Sequence, residues 1–215
     1  MPRALHRRER PYFSKSGKGR APTSAIGSIG VLKDERGAAI LEFAIALPLL
    51  VVFIVGIFDF SGAFNQKQKI EQAAQEGAIV AGAQPMSDIQ STNGNPDSLQ
   101  PVVTAVFNSL AGSGVLPSAN TGTCITPPPA PTQSGLTWTY TISGCSSGYL
   151  GDKLVITINR GWVSAPGPPL SVGTMVTIVY PNHWRFNSVI QLLFPGASYA
   201  ATTQVTENAT VHNQI

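Results

Sequence analysis

From Phe43 to Phe58 the chain reads FAIALPLLVVFIVGIF, without one charged or strongly polar side chain. Carried back to Ala38, the run reaches 21 residues interrupted only by Glu42. At the helical rise per residue this spans about 31 Å, close to the hydrocarbon thickness of a bilayer. A core helix of a soluble domain keeps a polar face, and this run has none. A transmembrane helix is therefore expected over residues 37–59. The pattern then changes without breaking. Apolar or small residues recur at Ile70, Ala73, Ala74, Gly77, Ala78, Ala81 and Gly82, at helical spacing, while Lys67, Lys69, Gln72, Gln75 and Glu76 fall opposite. Residues 60–84 thus predict an amphipathic continuation of the same helix, which Pro85 ends. One helix from about Ala38 to Ala83 is expected, with Pro48 as a place where it can bend.

Beyond Met86 the period shortens. A polar loop leads to a short helix, Leu99 to Leu110, and then to Thr-, Val- and Ile-rich runs with strand alternation: 136–142, 153–158, 174–180 and, more weakly, 198–211. Clusters such as ITPPPAPT and SAPGPPL separate them. The expected fold class is α+β: a long N-terminal transmembrane and amphipathic helix packed on a small antiparallel β-domain over residues 85–215. The stripe on the second half of the helix is Ala and Gly, not Leu. Ala73, Gly77 and Ala81 stand four apart, so a backbone can approach closely there. The partner can be the chain's own distal domain or another subunit, and the pattern does not choose.

Charge adds a direction. The net charge of +3 conceals nine Lys/Arg against three Asp/Glu in residues 1–36, a surplus of six, and five against eight in the remainder. The leader is expected to be a disordered cytoplasmic segment, since it lacks hydrophobic periodicity. Basic residues before an apolar span orient it with the N-terminus inside and the β-domain outside. A nucleic-acid arm is the competing meaning of a basic head. Its cations are dispersed among Gly, Ser and Pro with only Tyr12 and Phe13 as aromatics, so no nucleic-acid partner is expected. Two cysteines, Cys124 and Cys145, fall in the external part, where a disulfide between them can form; unpaired thiols are the alternative.

The segment RGAAILEFAIALP carries the most specific signal. A carboxylate at the centre of a membrane helix costs about 2.5–3.5 kcal/mol on insertion scales, and less towards an end. Glu42 therefore calls for a role or a partner. Gly37, four residues and then Glu42-Phe43 resembles a type IV prepilin processing site, and the Glu-aromatic pair is similar to its tight-adherence branch. The stretch from Arg36 to Gly82 resembles the TadE-like pilus assembly family, with a looser likeness in VTIVYP and SYAATTQVTENAT. The resemblance implies cutting between Gly37 and Ala38 by a prepilin peptidase, and pairing of the freed Ala38 amine with a glutamate such as Glu42 of a neighbouring subunit, beside Phe43. It also implies the bacterial cytoplasmic membrane as the site of a single-pass protein, with other pilins, pseudopilins and tight-adherence assembly proteins as partners. An uncleaved anchor whose Glu42 snorkels to the interface is one alternative. A secretory signal cut after Ala63 is another, which leaves Glu42 and Pro48 unexplained.

An enzyme on a membrane stalk is the contrasting class. Past residue 85 the acids are Asp88, Asp97, Asp152 and Glu207 and the histidines His183 and His212, with no HExxH, GxSxG or phosphate-loop motif. No catalytic residue, metal site or cofactor is expected. The polar and aromatic cluster YPNHWRF, with His183, Trp184 and Arg185, is expected as a surface loop or packing corner. An adhesive module is a further alternative, compatible with the Thr-rich strands.

Overall fold

A computed structural model describes residues 35–90, 94–116, 124, 130–145, 152–163, 171–184, 186, 191, 196 and 202–213. Most of the basic leader and of the two proline-rich connections lies outside these residues, as do the first residues of the fourth expected strand.

The chain divides into two units within its first helix, residues 1–45 and 46–215. That helix, α1, runs from Glu35 to Ala83 without a break and contains Pro48. In the first unit its described side chains are all exposed.

In the second unit α1 changes character along its length. Phe53, Ile57, Phe58 and Phe60 are each more than 60% exposed, whereas Ile70, Ala73, Ala74 and Ala81 are wholly buried. The buried set follows the i, i+3, i+4, i+7 rule of a single helical face. Of the two partners left open by the sequence, the chain's own distal domain occupies this face. A Cβ on Gly77 would collide with Val106 Cγ2, and one on Gly82 would stand 2.9 Å from Val211 Cγ1. Here glycine permits a backbone approach that alanine would obstruct.

A single 3-10 turn, Asp97–Leu99, leads into α2, Gln100–Gly112. Pro101 near the start suits a first turn whose N–H groups have no helical acceptor. Asp88 accepts the Ser98 backbone N–H at 2.8 Å and so fastens that turn. Val102, Val103, Val106, Phe107 and Leu110 form the buried face of α2.

Among the described residues five strands follow: β1 Thr132–Ser134, β2 Thr137–Ser143, β3 Lys153–Val163, β4 Val172–His183 and β5 Thr202–His212. They form one antiparallel sheet in chain order, a meander. Register places Trp138 opposite Ile158, Tyr140 opposite Ile156, and Ile156 opposite Ile178. These even-numbered residues face the helices and are buried. The odd positions carry Thr139, Thr157 and Thr177 in a cross-strand row on the other face, with the Thr139 and Thr157 hydroxyls 3.4 Å apart.

The sheet departs from the sequence expectation at its margins. β1 was not expected, because TQS has no apolar alternation; it forms as the return arm of a tight turn in which Gly135 takes φ of +58°. β3 and β4 run longer than expected, to Val163 and His183. β4 therefore includes Pro181 and His183, taken above as part of a corner, and it pairs with β5 from Gly173 to His183.

Candidate membrane and assembly site

The anchor half of α1 is defined by apolar exposure. The helix from Gly37 has a window of mean hydropathy 2.8, none of it buried in the structure. Exposure of this extent in water would be strongly unfavourable, so lipid or protein must cover it. The span has the length and composition of a single membrane anchor.

Gly37, Ala38, Glu42 and Phe43 occupy the first turns of α1. All four are exposed, and a side chain on Gly37 would meet nothing within 4 Å. Ala38 and Glu42 stand four residues apart and therefore share one helical face. Among the described residues no ion pair includes Glu42. Ala73, Gly77 and Ala81 belong to a different site: they are buried in the second unit against the helix–sheet core.

Polar residues fasten α1 to the sheet at three levels. Asp59 accepts the backbone N–H of Phe186. Two turns on, the Gln66 side-chain amide donates to the Pro181 carbonyl at 3.3 Å, and Lys67 pairs with Glu207 at 3.0 Å. At the far end Arg160, a wholly buried residue of β3, closes the helix. Its guanidinium donates to the Ala81 carbonyl, to Thr174 Oγ1 at 3.1 Å, to the Gln84 carbonyl at 2.9 Å and to the Pro85 carbonyl at 3.1 Å. The Ala81 carbonyl, in the last turn of α1, also accepts the Gln84 backbone N–H at 3.2 Å, and a cation there meets the negative end of the helix dipole. Burial pulls the Arg160 pKa down from its ordinary value, and Asp88 acts against that pull. Sequence reading missed Arg160 because the expected strand stopped at residue 158, two positions before it. Its parity was the available signal: it continues the inward series Leu154, Ile156, Ile158.

Cys124 and Cys145 are joined, with Cα atoms 5.1 Å apart, at the end of β2. Both are buried. The bond closes a loop of 21 residues, for which chain entropy supplies about 3 kcal/mol.

Among the described residues no three His, Cys, Asp or Glu side chains come together as a metal site. His183 ends β4, with Nε2 2.5 Å from Asp152 Oδ2 and Nδ1 3.1 Å from Thr202 Oγ1. This set ties the β4–β5 end to the start of β3.

Among the described residues, one helix long and apolar enough to cross a membrane continues into the core of a meander sheet, which defines an α+β domain with a candidate membrane anchor. Residues 37–78 match the family model of TadE-like proteins, a segment that starts at the glycine before the apolar run and ends on the buried small-residue face. The match covers the anchor and its continuation and stops before the sheet. No curated protein and no solved structure matches the chain.

Proposed function

We propose that the protein is a minor pseudopilin-like component in assembly of a tight-adherence pilus, held in the bacterial cytoplasmic membrane by α1 with its sheet domain outside. The observation that carries this reading is the TadE-like match over residues 37–78, which includes Glu42 inside an otherwise apolar helix. The leader is removed between Gly37 and Ala38 by a prepilin peptidase. Gly37 suits that step because it offers no side chain to a protease cleft, and its surroundings on the helix are open. The new Ala38 amine is a cation formed at the membrane boundary, and Glu42 of a neighbouring pilin or pseudopilin is its counter-ion. Pairing offsets the cost of holding the carboxylate among apolar side chains and sets the register between subunits. The protein acts by packing and charge pairing and carries out no catalysis itself.

Deletion of the gene and replacement by the Glu42→Ala form, with pili counted by electron microscopy, tests the assembly role. Both strains are expected to lose pili or shorten them; unchanged number and length would remove the proposal. N-terminal sequencing of protein from its native membrane tests the processing step, with Ala38 as the expected first residue. An intact leader in cells with active peptidase would exclude cleavage.

A further inference from the structure

The end of β4 does not turn away from α1. Pro181 is held by Gln66, and five residues later Phe186 is held by Asp59. Between those two anchor points α1 descends seven residues, about 10 Å, towards its apolar half. Asp59 is the first charged residue after the apolar run. Phe186, three residues past the end of β4, is thus held at the level of α1 where the apolar run ends.

The side chains found there are those of an interface. Phe186 lines an open apolar groove of about 600 Å³ with Val52, Phe53, Ile57, Phe60 and Phe64 of α1. Trp184 is half-buried and donates its indole N–H to Thr203 Oγ1 at 2.6 Å, so its polar edge is fixed on the sheet. Indole rings with one polar edge and one apolar body concentrate at the boundary between headgroups and acyl chains. The connection from Phe186 to Ala201 reads FNSVIQLLFPGASYAA and carries no Asp, Glu, Lys or Arg. The Asp59–Phe186 bond fits the same depth, because it pairs a carboxylate and a backbone N–H where water becomes scarce.

We propose that Trp184 and Phe186, with the groove that Phe186 borders on α1, form a second membrane contact, seated in the lipid interface of the bilayer that α1 enters. The occupant of the groove is lipid, in continuity with the lipid around α1. The contact fixes the height of the sheet domain above the membrane. The inference rests on α1 being a membrane anchor, as proposed above.

The test uses the full chain reconstituted in phosphatidylcholine–phosphatidylglycerol vesicles, with and without bromine on the acyl chains next to the headgroup. Flotation comes first: a chain that does not float with the vesicles overturns the anchor reading and this inference with it. For a chain that floats, tryptophan emission is compared between the two lipids. Trp138 is wholly buried in the core and Trp162 lies in β3, so Trp184 is expected to supply the quenched emission. Trp184→Phe should abolish most of the bromine quenching, and Trp162→Phe should retain it. Quenching that is absent, or that survives Trp184→Phe, would overturn the lipid contact while leaving the anchor intact. Far-UV circular dichroism identical to the wild type establishes that each variant is folded.

Discussion

Arg160 of β3 donates to the carbonyl of Ala81, in the last turn of α1, across 79 positions of sequence. The same guanidinium reaches Gln84 and Pro85, so one strand residue closes the C-terminal end of α1. Within the second unit α1 is thereby held to the sheet by hydrogen bonds to a buried cation as well as by apolar packing.

Replacing Arg160 should therefore cost more than a surface arginine would. Arg160→Met keeps the volume and leaves the carbonyls of Ala81, Gln84 and Pro85 without this donor. The expected loss is about 2 kcal/mol, since hydrogen bonds from a charged group are strong, while the Gln84 and Pro85 carbonyls are only partly buried and Ala81 keeps the Gln84 N–H. Arg160→Lys should fall between, because an ammonium carries the charge without the planar fork. Urea unfolding of the full chain in detergent, followed by tryptophan emission, measures both. A loss under about 0.5 kcal/mol for Arg160→Met, the range of an ordinary surface change, would refute the capping role.

The two halves of α1 were legible because each follows a single rule. Ala38 to Phe58 lacks a polar face, and Ile70 to Gly82 keeps small residues at helical spacing. β2 and the inner parts of β3 and β4 were legible by alternation, as in WTYTI and LVITI. What escaped depended on contacts distant in sequence. Asp59 read only as the end of the apolar run, yet it holds a residue 127 positions away. His183 read as a corner, yet it pairs with Thr202 inside the sheet. Arg160 escaped because it lies beyond the stretch 153–158 expected as a strand. The position of Glu42 in the first turns of α1 is local, and so it was visible in the sequence.

Gly77 of α1 packs directly against Val106 of α2. Gly77→Ala gains helix propensity, about 1 kcal/mol, but places a methyl group against Val106. Overpacking of a tight core costs about 1–3 kcal/mol, so the net effect should be destabilising. Shortening the obstructing side chain, Val106→Ala, in the same chain should recover part of the loss. The double mutant cycle is the measurement; strictly additive effects would show that the two positions do not touch.

Reduction of the Cys124–Cys145 bond should lower stability by about 3 kcal/mol without dismantling the sheet. The bond constrains the unfolded chain, whereas β2, β3 and β4 are held by their own register and a continuous apolar face. Cys124→Ser with Cys145→Ser should match the reduced wild type in denaturant midpoint and retain the strand signal in circular dichroism. Loss of that signal in the absence of denaturant would mean that the disulfide is required for folding itself.

Tyr140 supplies a pH dependence with a definite sign. It is buried, its hydroxyl donates to Asn95 Oδ1 at 2.9 Å, and burial pushes its pKa up to about 12 from an ordinary value of 10.0. The folded protein holds this proton to higher pH than the unfolded chain does. The associated stability is complete below pH of about 10 and is lost as pH rises through about 12. Tyr140→Phe removes the titrating group and one neutral hydrogen bond, worth about 1 kcal/mol. The wild type should therefore be the more stable at pH 8, and its lead over Tyr140→Phe should shrink or reverse by pH 11. Lysines and the other tyrosines titrate in both proteins, so the difference between the two unfolding curves isolates Tyr140. Parallel stability profiles from pH 8 to pH 11 would show that this phenol ionises as freely in the folded protein as in the unfolded chain.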